Sequence, residues 1–243
     1  MIKTHKTSNN ETKSKTIPNT RRVIIGTPSY DGKVDCFFMY SMIETVKLGL
    51  TLGVEIIPIQ ICHDALIQRA RNDLIAIALE SECDDLIFMD SDQEWEPSWI
   101  FKLLDYDVDV VGGVVPKKSD VPMFNVKALK TGINIDENGL MEVESVGTGF
   151  LRVSKKALKA VSEMSKEYKN EGKIRKMAFD IQIVDGELVS EDNVFCSKWR
   201  SLGNKVYIDP SMTCSHIGIK KWEGNFLAFL DALKKQDISK KAE

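Results

Sequence analysis

Apolar and polar positions along the 243-residue chain follow two patterns. Short apolar runs predict strands, and longer stretches with an apolar residue every three or four positions predict helices. The predicted strands are 22–26, 54–59, 86–89, 108–115, 150–153 and 205–208. The predicted helices are 34–52, 66–82 with Asp64 as its cap, 98–104 after Pro97, 155–168 capped by Ser154, 190–202 ended by Gly203, and 222–233. The opening strand–loop–helix–strand order favours one α/β domain with a mostly parallel central sheet.

The remaining segments lack a strong period. Residues 123–144 predict short strands and turns, with a hairpin signal at Asp136–Gly139, and residues 179–189 predict extended chain with a turn at Asp185-Gly186. The polar, basic residues 169–176 predict a mobile loop. The chain ends are polar too, so residues 1–20 predict a flexible basic arm and 234–243 a frayed tail. The predicted domain therefore spans residues 21–233.

Composition narrows the class of protein. The chain is 43% hydrophobic and 28% charged with a formal net charge of -3, which is ordinary for a globular protein and excludes a global polycation. The five cysteines, an odd number without CxxC spacing, favour a reducing compartment over a disulfide framework. No apolar run is long enough to span a bilayer, and the N-terminus has no signal-peptide core. These features predict a cytoplasmic protein without a membrane anchor, in the host cytoplasm if it is viral.

Two carboxylates follow the most apolar predicted strand. Asp90 and Asp92 come directly after 86–89, at the carboxyl end of a strand, where open α/β sheets bind ligands. Residues two apart in extended chain point the same way, so we expect the two carboxylates to repel each other unless a cation lies between them. Mg²⁺ or Mn²⁺, with oxygen ligands and open positions for phosphates, suits such a pair. The alternative is a polar strand exit, since Asp and Ser are common turn residues.

Four motifs in this order resemble those of the nucleotide-sugar glycosyltransferases of the GT-A fold. They are the Asp-x-Asp of Asp90-Ser91-Asp92, the turn Gly147-Thr148-Gly149, the acidic pair Glu191-Asp192 at a helix start, and the late His216. The helix segment 68–72, which precedes the strand that ends in Asp-Ser-Asp, also resembles the corresponding segment in a branch common among viral and microbial members. The resemblance covers residues 21–218. It implies a single GT-A domain that moves a sugar from a nucleoside-diphosphate sugar, most readily a UDP-sugar, to a hydroxyl acceptor.

The resemblance also implies roles for particular residues. Asp92 and His216 would bind the Mn²⁺ or Mg²⁺, with Asp90 as a water-mediated or ribose contact in the same metal site. Asp192, next to Glu191, would be the general base of an inverting reaction. The alternative is a retaining reaction, because some retaining members keep acidic residues at this place for acceptor binding. The remaining residues implied in donor binding are Thr27, Pro28, Tyr30, Arg69, Asn72, Ser91, Gly147, Thr148, Gly149 and Lys220.

Competing interpretations remain for several of these residues. Glu191 and Asp192 also suit a plain helix cap, and Arg69 and Asn72 also suit a solvated helix face. Cys214 and His216 could belong to a zinc site, but the sequence has no second ligand pair at the required spacing. A nucleotidyltransferase of the same fold is the first alternative function, although residues 27–30 lack its Gly-rich signature. A catalytically inactive glycan- or nucleic-acid-binding module is the second.

The acceptor is the least determined part of the prediction. Modified DNA bases, glycans and proteins all carry suitable hydroxyl groups. The basic arm and residues 169–176 favour a polyanion, for which hydroxymethylated DNA is the specific expectation.

Overall fold

The computed structural model describes residues 20–218 and 220–241. Within them lie six helices: α1 (Cys36–Leu52), α2 (Ile67–Glu80), α3 (Pro97–Asp105), α4 (Lys155–Met164), α5 (Glu191–Ser201) and α6 (Phe226–Lys241). The strands are β1 (Arg22–Ser29), β2 (Glu55–Cys62), β3 (Asp85–Met89), β4 (Gln93–Glu94), β5 (Val110–Val114), β6 (Val126–Ala128), β7 (Met141–Val146), β8 (Phe150–Ser154), β9 (Glu167–Asn170), β10 (Lys173–Lys176), β11 (Gln182–Val184), β12 (Glu187–Val189), β13 (Val206–Thr213), β14 (Ser215–Ile217) and β15 (Lys221–Trp222).

An eight-stranded sheet in the order β2-β1-β3-β8-β5-β13-β7-β6 forms the centre of the described chain. Strands β8 and β7 run against the other six, so the predicted α/β class with a mostly parallel sheet is confirmed. The two reversed strands make the sheet mixed. None of the helices in the described chain is long and apolar enough to cross a membrane.

Strand β3 shows why the sheet is buried on both faces. Leu86 and Phe88 pack into one core with α2, α4, α5 and α6, whereas Ile87 and Met89 pack into a second core with α1 and α3. Side chains alternate across a strand, so an uninterrupted apolar run fits a strand covered by helices on both sides. Each fully buried aliphatic or aromatic side chain contributes about 1.5–3 kcal/mol.

Several predicted boundaries differ from the structure. The helix N-cap of α2 is Leu66 rather than Asp64, because the Asp64 carboxylate accepts from the Leu66 amide and binds Arg69 instead. Helix α4 ends at Met164, and α6 begins at Phe226 and continues to Lys241, so the predicted frayed tail is helical through that residue. Strand β13 continues past Asp209 and Pro210. The predicted N-terminal arm, apart from Thr20, lies outside the described residues.

The predicted mobile loop at 169–176 is wrong, because β9 and β10 form an antiparallel hairpin there. Glu171 and Gly172 both have positive φ, 48° and 78°, as a two-residue turn that matches the twist of a hairpin requires. Arg175 then fixes the hairpin to α2 through an ion pair of 2.5 Å with Asp73. A second hairpin, β11–β12, turns at Asp185-Gly186 as predicted and leads directly into α5.

Candidate active site

Asp90 and Asp92 lie where β3 ends, but they contact different partners. The chain turns at Ser91 and Asp92 instead of staying extended. Asp90 Oδ1 lies 3.3 Å from the Arg71 guanidinium, whereas Asp92 Oδ2 faces His216 and Lys118. The two side chains therefore do not point the same way, which removes the reason to expect one cation between them. Asp92 is the aspartate that lies beside His216.

The structure confirms the expected proximity of His216 to the mid-chain aspartates. Strand β14 pairs with β4 and places His216 opposite Gln93, next to the end of β3. His216 Nε2 lies 3.4 Å from Asp92 Oδ2, and Nδ1 lies 2.8 Å from the carbonyl oxygen of Pro116. A carbonyl oxygen only accepts, so Nδ1 carries a proton, and Nε2 is the ring nitrogen that faces the Asp92 carboxylate.

This arrangement fits a divalent cation held between Asp92 and His216. An imidazole nitrogen and a carboxylate oxygen are both metal-ligating groups, and the Nδ1 bond to a backbone carbonyl fixes the ring as in metal-ligating histidines. Two protein ligands suffice for Mg²⁺ or Mn²⁺, which keeps waters or phosphates at other positions. In the described chain, no three His, Cys, Asp or Glu side chains are grouped to bind a metal by themselves.

Lys118, which the sequence interpretation missed, contacts the same carboxylate. Its Nζ lies 2.5 Å from Asp92 Oδ2. Burial favours a raised pKa for Asp92, but the hydrogen bonds from His216 and Lys118 outweigh it and hold the pKa below its usual range. Asp92 is therefore a carboxylate around neutral pH, paired with an ammonium group that a metal ion would displace.

Arg71 joins the two ends of the site. Its side chain is buried, and its Nη1 lies 2.7 Å from Glu191 and 2.8 Å from Asp192, while Nη2 contacts Asp90. Burial favours a lower pKa for Arg71, but the three carboxylates overcome it and raise the pKa. One guanidinium thus neutralises only part of a cluster that carries three potential negative charges.

The pKa of Asp90 reflects its buried position among these charges. Burial, the largest effect, raises the pKa of Asp90, and the neighbouring Asp92 and Asp192 raise it further against the lowering influence of Arg71. By charge, the four carboxylates of Asp90, Asp92, Glu191 and Asp192 face two cations, Arg71 and Lys118, which favours binding of an additional cation.

The turn Gly147-Thr148-Gly149 helps to position Asp192, the candidate general base. Asp192 Oδ1 accepts from the Thr148 hydroxyl, from the Thr148 amide at 3.3 Å and from Arg71. Gly149 lets the backbone approach the site, because a Cβ there would lie 2.9 Å from Asp90 Oδ2 and closer still to the Gln93 amide nitrogen. Gln93 is buried, and its Oε1 has no hydrogen-bond partner among the described residues. It offers an unused acceptor for a ligand hydroxyl.

Other predicted donor-binding residues near the end of β3 differ in exposure and contacts. Thr27 and Pro28 are buried within β1 and pair with β2, so only Tyr30, which is exposed, lies in the loop beyond the strand. Ser91 lies in the turn between the aspartates and accepts from the Asp35 amide through its carbonyl.

Three further predicted residues have structural partners. Arg69 forms a two-pronged ion pair with Asp64, at 2.7 Å on each side. Asn72 is buried and binds the backbone N–H and carbonyl of Phe179 at 2.8 and 2.9 Å. Lys220 pairs with Asp120 on the surface. Asn72 in particular has both ends of its amide in use, so it positions the chain around Phe179.

Arg71 could have been found in the sequence. It lies three and four positions before Leu74 and Ile75, so helical periodicity places its guanidinium on the buried face of α2. A buried arginine needs paired carboxylates. Lys118 and Gln93 carry no comparable signal, because one lies in an irregular loop and the other in a two-residue strand.

Most residues of the site, but not Asp92 or Lys118, line one cavity of about 200 Å³. It is lined by Arg71, Asp90, Gln93, Val115, Asn125, Val146, Gly147, Thr148, Gly149, Glu191, Asp192 and His216. The motifs of the sequence, from four distant segments, therefore meet at one edge of the sheet.

Comparison with solved structures bears on the fold. No family model matches the chain, and no curated protein matches its sequence. Among solved structures, A197 from STIV aligns with a TM-score of 0.51 and 18% identity, over 82% of this chain and 86% of that chain. At this identity the similarity concerns the fold alone.

Two further structures align more weakly. A glycosyltransferase involved in the glycosylation of the major capsid of PBCV-1 gives a TM-score of 0.33 and 13% identity, over 57% of this chain and 62% of that chain. The inositol-1-phosphate CTP transferase from T. maritima gives 0.39 and 12%, over 80% and 86%. Residue roles in this chain therefore have to be argued from its own geometry.

Proposed function

We propose that this chain is a metal-dependent glycosyltransferase that moves a sugar from a nucleoside-diphosphate sugar, with UDP-sugars as the first candidates, to a hydroxyl acceptor. The observation that carries the proposal is the pair of His216 Nε2 and Asp92 Oδ2, 3.4 Å apart, with the ring fixed by Pro116. This pair suits a cation that also binds phosphate oxygens. A diphosphate leaving group needs such a cation most as its bond to the sugar breaks.

Asp92 and His216 would hold Mn²⁺ or Mg²⁺, which when bound supplies charge neutralisation for the departing diphosphate. The other residues of the cavity orient the sugar. Gln93 Oε1 accepts from a sugar hydroxyl, and Gly149, without a side chain, lets Gln93 and Asp90 pack against the turn. Arg71 holds Asp90 and Asp192 at a fixed separation across the cavity.

Asp192 performs the proton transfer in this proposal. Its Oδ1 is held by Arg71 and Thr148, so Oδ2 is the oxygen that would take the proton. The acceptor oxygen attacks the anomeric carbon and its proton moves to Asp192. The bond between the anomeric carbon and the diphosphate oxygen breaks, and its electron pair leaves with the nucleoside diphosphate. Attack from the face opposite the leaving group inverts the anomeric configuration.

The test combines binding with product identity. We expect UDP and MnCl₂ together to raise the melting temperature of the wild-type protein, and Asp92→Asn and His216→Ala to abolish the increase. Asp107→Asn, at an exposed aspartate, is the matched control. Release of nucleoside diphosphate from a panel of nucleotide sugars supports the proposal. Pyrophosphate release from a nucleoside triphosphate and a sugar phosphate would instead establish a nucleotidyltransferase, and no shift with any nucleotide would rule out both.

A further inference from the structure

Three cavities follow one another outward from Asp192. The first is the candidate active site, and the second, of about 170 Å³, shares Asn125, Gly147 and Asp192 with it. The third, of about 520 Å³, shares Lys127, Ser145 and Asn193 with the second. Residues 125–127 of the chain leading into and through β6 and residues 190–193 at the start of α5 thus form the two sides of a single groove. We call it the acceptor groove.

The chemistry of the acceptor groove changes along its length. Next to Asp192 it is polar, with the side chains of Asn125, Ser145, Ser190 and Asn193. Such groups donate to and accept from a peptide backbone or a sugar. Further out, one side is the β11–β12 hairpin, whose aliphatic side chains Val184 and Leu188 are 48% and 73% exposed. Exposed aliphatic side chains beside a functional cavity indicate a partner that covers them.

The charges of the groove do not suit a polyanion. Three cations, Lys117, Lys127 and Arg200, and three anions, Glu144, Glu187 and Asp192, line its two outer cavities. Lys127 is already paired with Glu144 at 2.6 Å and Arg200 with Glu142 at 3.2 Å. DNA binding depends on cations that remain available to phosphates. Hydroxymethylated DNA, the acceptor expected from the sequence, therefore fits this groove poorly.

The groove offers the features that recognise extended polypeptides. The β11–β12 sheet has two strands, so in the described chain the outer edge of each lacks a partner strand. A strand edge beside an aliphatic pocket binds an added strand through main-chain hydrogen bonds, and the pocket selects alternate side chains.

We propose that the acceptor is an extended polypeptide segment that carries a serine or threonine hydroxyl next to Asp192 and an aliphatic residue against Leu188. This inference rests on the proposed glycosyltransfer. The serine or threonine oxygen forms the new bond to the anomeric carbon, its proton passes to Asp192, and the nucleoside diphosphate leaves with the electron pair of the broken bond.

The experiment uses a positional-scanning library of ten-residue peptides with a fixed central threonine or serine. Peptide binding is measured by fluorescence anisotropy without donor, and sugar transfer by mass spectrometry with the UDP-sugar donors and MnCl₂. The variant is Leu188→Asp, and the control is Ile174→Asp, which changes an aliphatic residue, 60% exposed, on the other hairpin, β9–β10. Both side chains are exposed, so both variants should fold.

We expect aliphatic-flanked peptides to bind wild type and I174D equally, and L188D at least ten-fold more weakly. Donor hydrolysis by water, measured in parallel, should be the same in wild type and I174D. The absence of binding or transfer for every library mixture, or equal binding by L188D, overturns the polypeptide assignment. Transfer to hydroxymethylated duplex DNA or to an oligosaccharide alone also overturns it. If no donor releases nucleoside diphosphate with any acceptor or with water, the proposed glycosyltransfer fails, while the anisotropy data still decide whether the groove binds polypeptide.

Discussion

Arg71 in α2 donates a hydrogen bond of 2.8 Å to Asp192 at the start of α5, 121 residues further along the chain. The same guanidinium contacts Asp90 at the end of β3. The rigid, planar guanidinium of Arg71 thus sets the distance between Asp90, at the donor end of the cavity, and Asp192, the candidate base.

Substitution of Arg71 should show whether its guanidinium positions the catalytic groups or contributes to substrate binding. We expect Arg71→Lys to lower kcat about 100-fold with little change in KM, because one ammonium group cannot hold carboxylates in two directions and small misplacements of a base are costly. Arg22→Met, at a surface arginine paired with Glu55, should keep full activity. Steady-state kinetics with a UDP-sugar would measure both constants, and wild-type kcat in R71K would remove Arg71 from the positioning role.

Removal of the Arg71 charge should also lower the stability of the fold. Arg71→Met leaves three carboxylates without their buried cation, so we expect the free energy of unfolding to fall by roughly 3–5 kcal/mol. Urea unfolding followed by tryptophan fluorescence would measure the loss. A change below about 1 kcal/mol would mean that the carboxylates become hydrated when the guanidinium is removed.

Lys118 should compete with the metal. Its ammonium group lies on the Asp92 oxygen that faces His216, so Lys118→Met should raise the affinity for Mn²⁺ several-fold while it leaves the fold intact. Isothermal titration with MnCl₂ alone would measure the affinity. Lys156→Met removes a comparable surface ion pair, with Asp109, and serves as the control. Weaker Mn²⁺ binding in K118M would contradict the competition.

Gly149 should tolerate no Cβ while Gln93 is present. Gly149→Ala places a methyl group against Gln93 and Asp90, so we expect a loss of about 1–3 kcal/mol in stability and a fall in activity. The double variant with Gln93→Ala removes the nearest clash and should recover part of the stability lost by G149A. Thermal unfolding of the four proteins gives the coupling, and strict additivity would show that Gln93 is not the obstacle.

The buried Asp209 should make stability depend on acid pH. Burial favours a higher pKa, but hydrogen bonds from Lys102, Ser211 and Tyr106 hold the pKa of Asp209 below its usual range. The unfolded-state pKa is about 3.9, so the stabilisation is fully present above that pH and is lost as the pH falls through the lower folded-state pKa.

Asp209→Asn should therefore lower stability by roughly 1–3 kcal/mol at pH 7. The difference from wild type should begin to shrink below about pH 4, where the unfolded wild type takes up a proton, and should disappear below the folded-state pKa. Urea unfolding at pH 7 and at the lowest pH at which both proteins fold would measure it, with the exposed Asp107→Asn as control. A constant difference across this range would exclude the carboxylate as its source.

Local patterns in the sequence determined the α/β class and most of its elements. The apolar run 86–89 specifies a strand buried on both faces, the Ser154 hydroxyl accepts from the Ala157 amide as a helix cap should, and Asp185-Gly186 forms the predicted turn. These features depend on residues that are neighbours in the chain. The hairpin at 167–176 escaped prediction because its strands are polar and are held to α2 by the Arg175–Asp73 ion pair, a contact between distant segments.

The site depended on tertiary structure in a different way. The order of the motifs marked Asp92, His216 and Asp192, but strand pairing between β4 and β14 decided that the imidazole lies beside Asp92. The turn after β3 decided that Asp90 faces Arg71. Which ion pairs form in a cavity depends on distances between side chains from four segments, and a sequence pattern specifies types and spacings but not those distances.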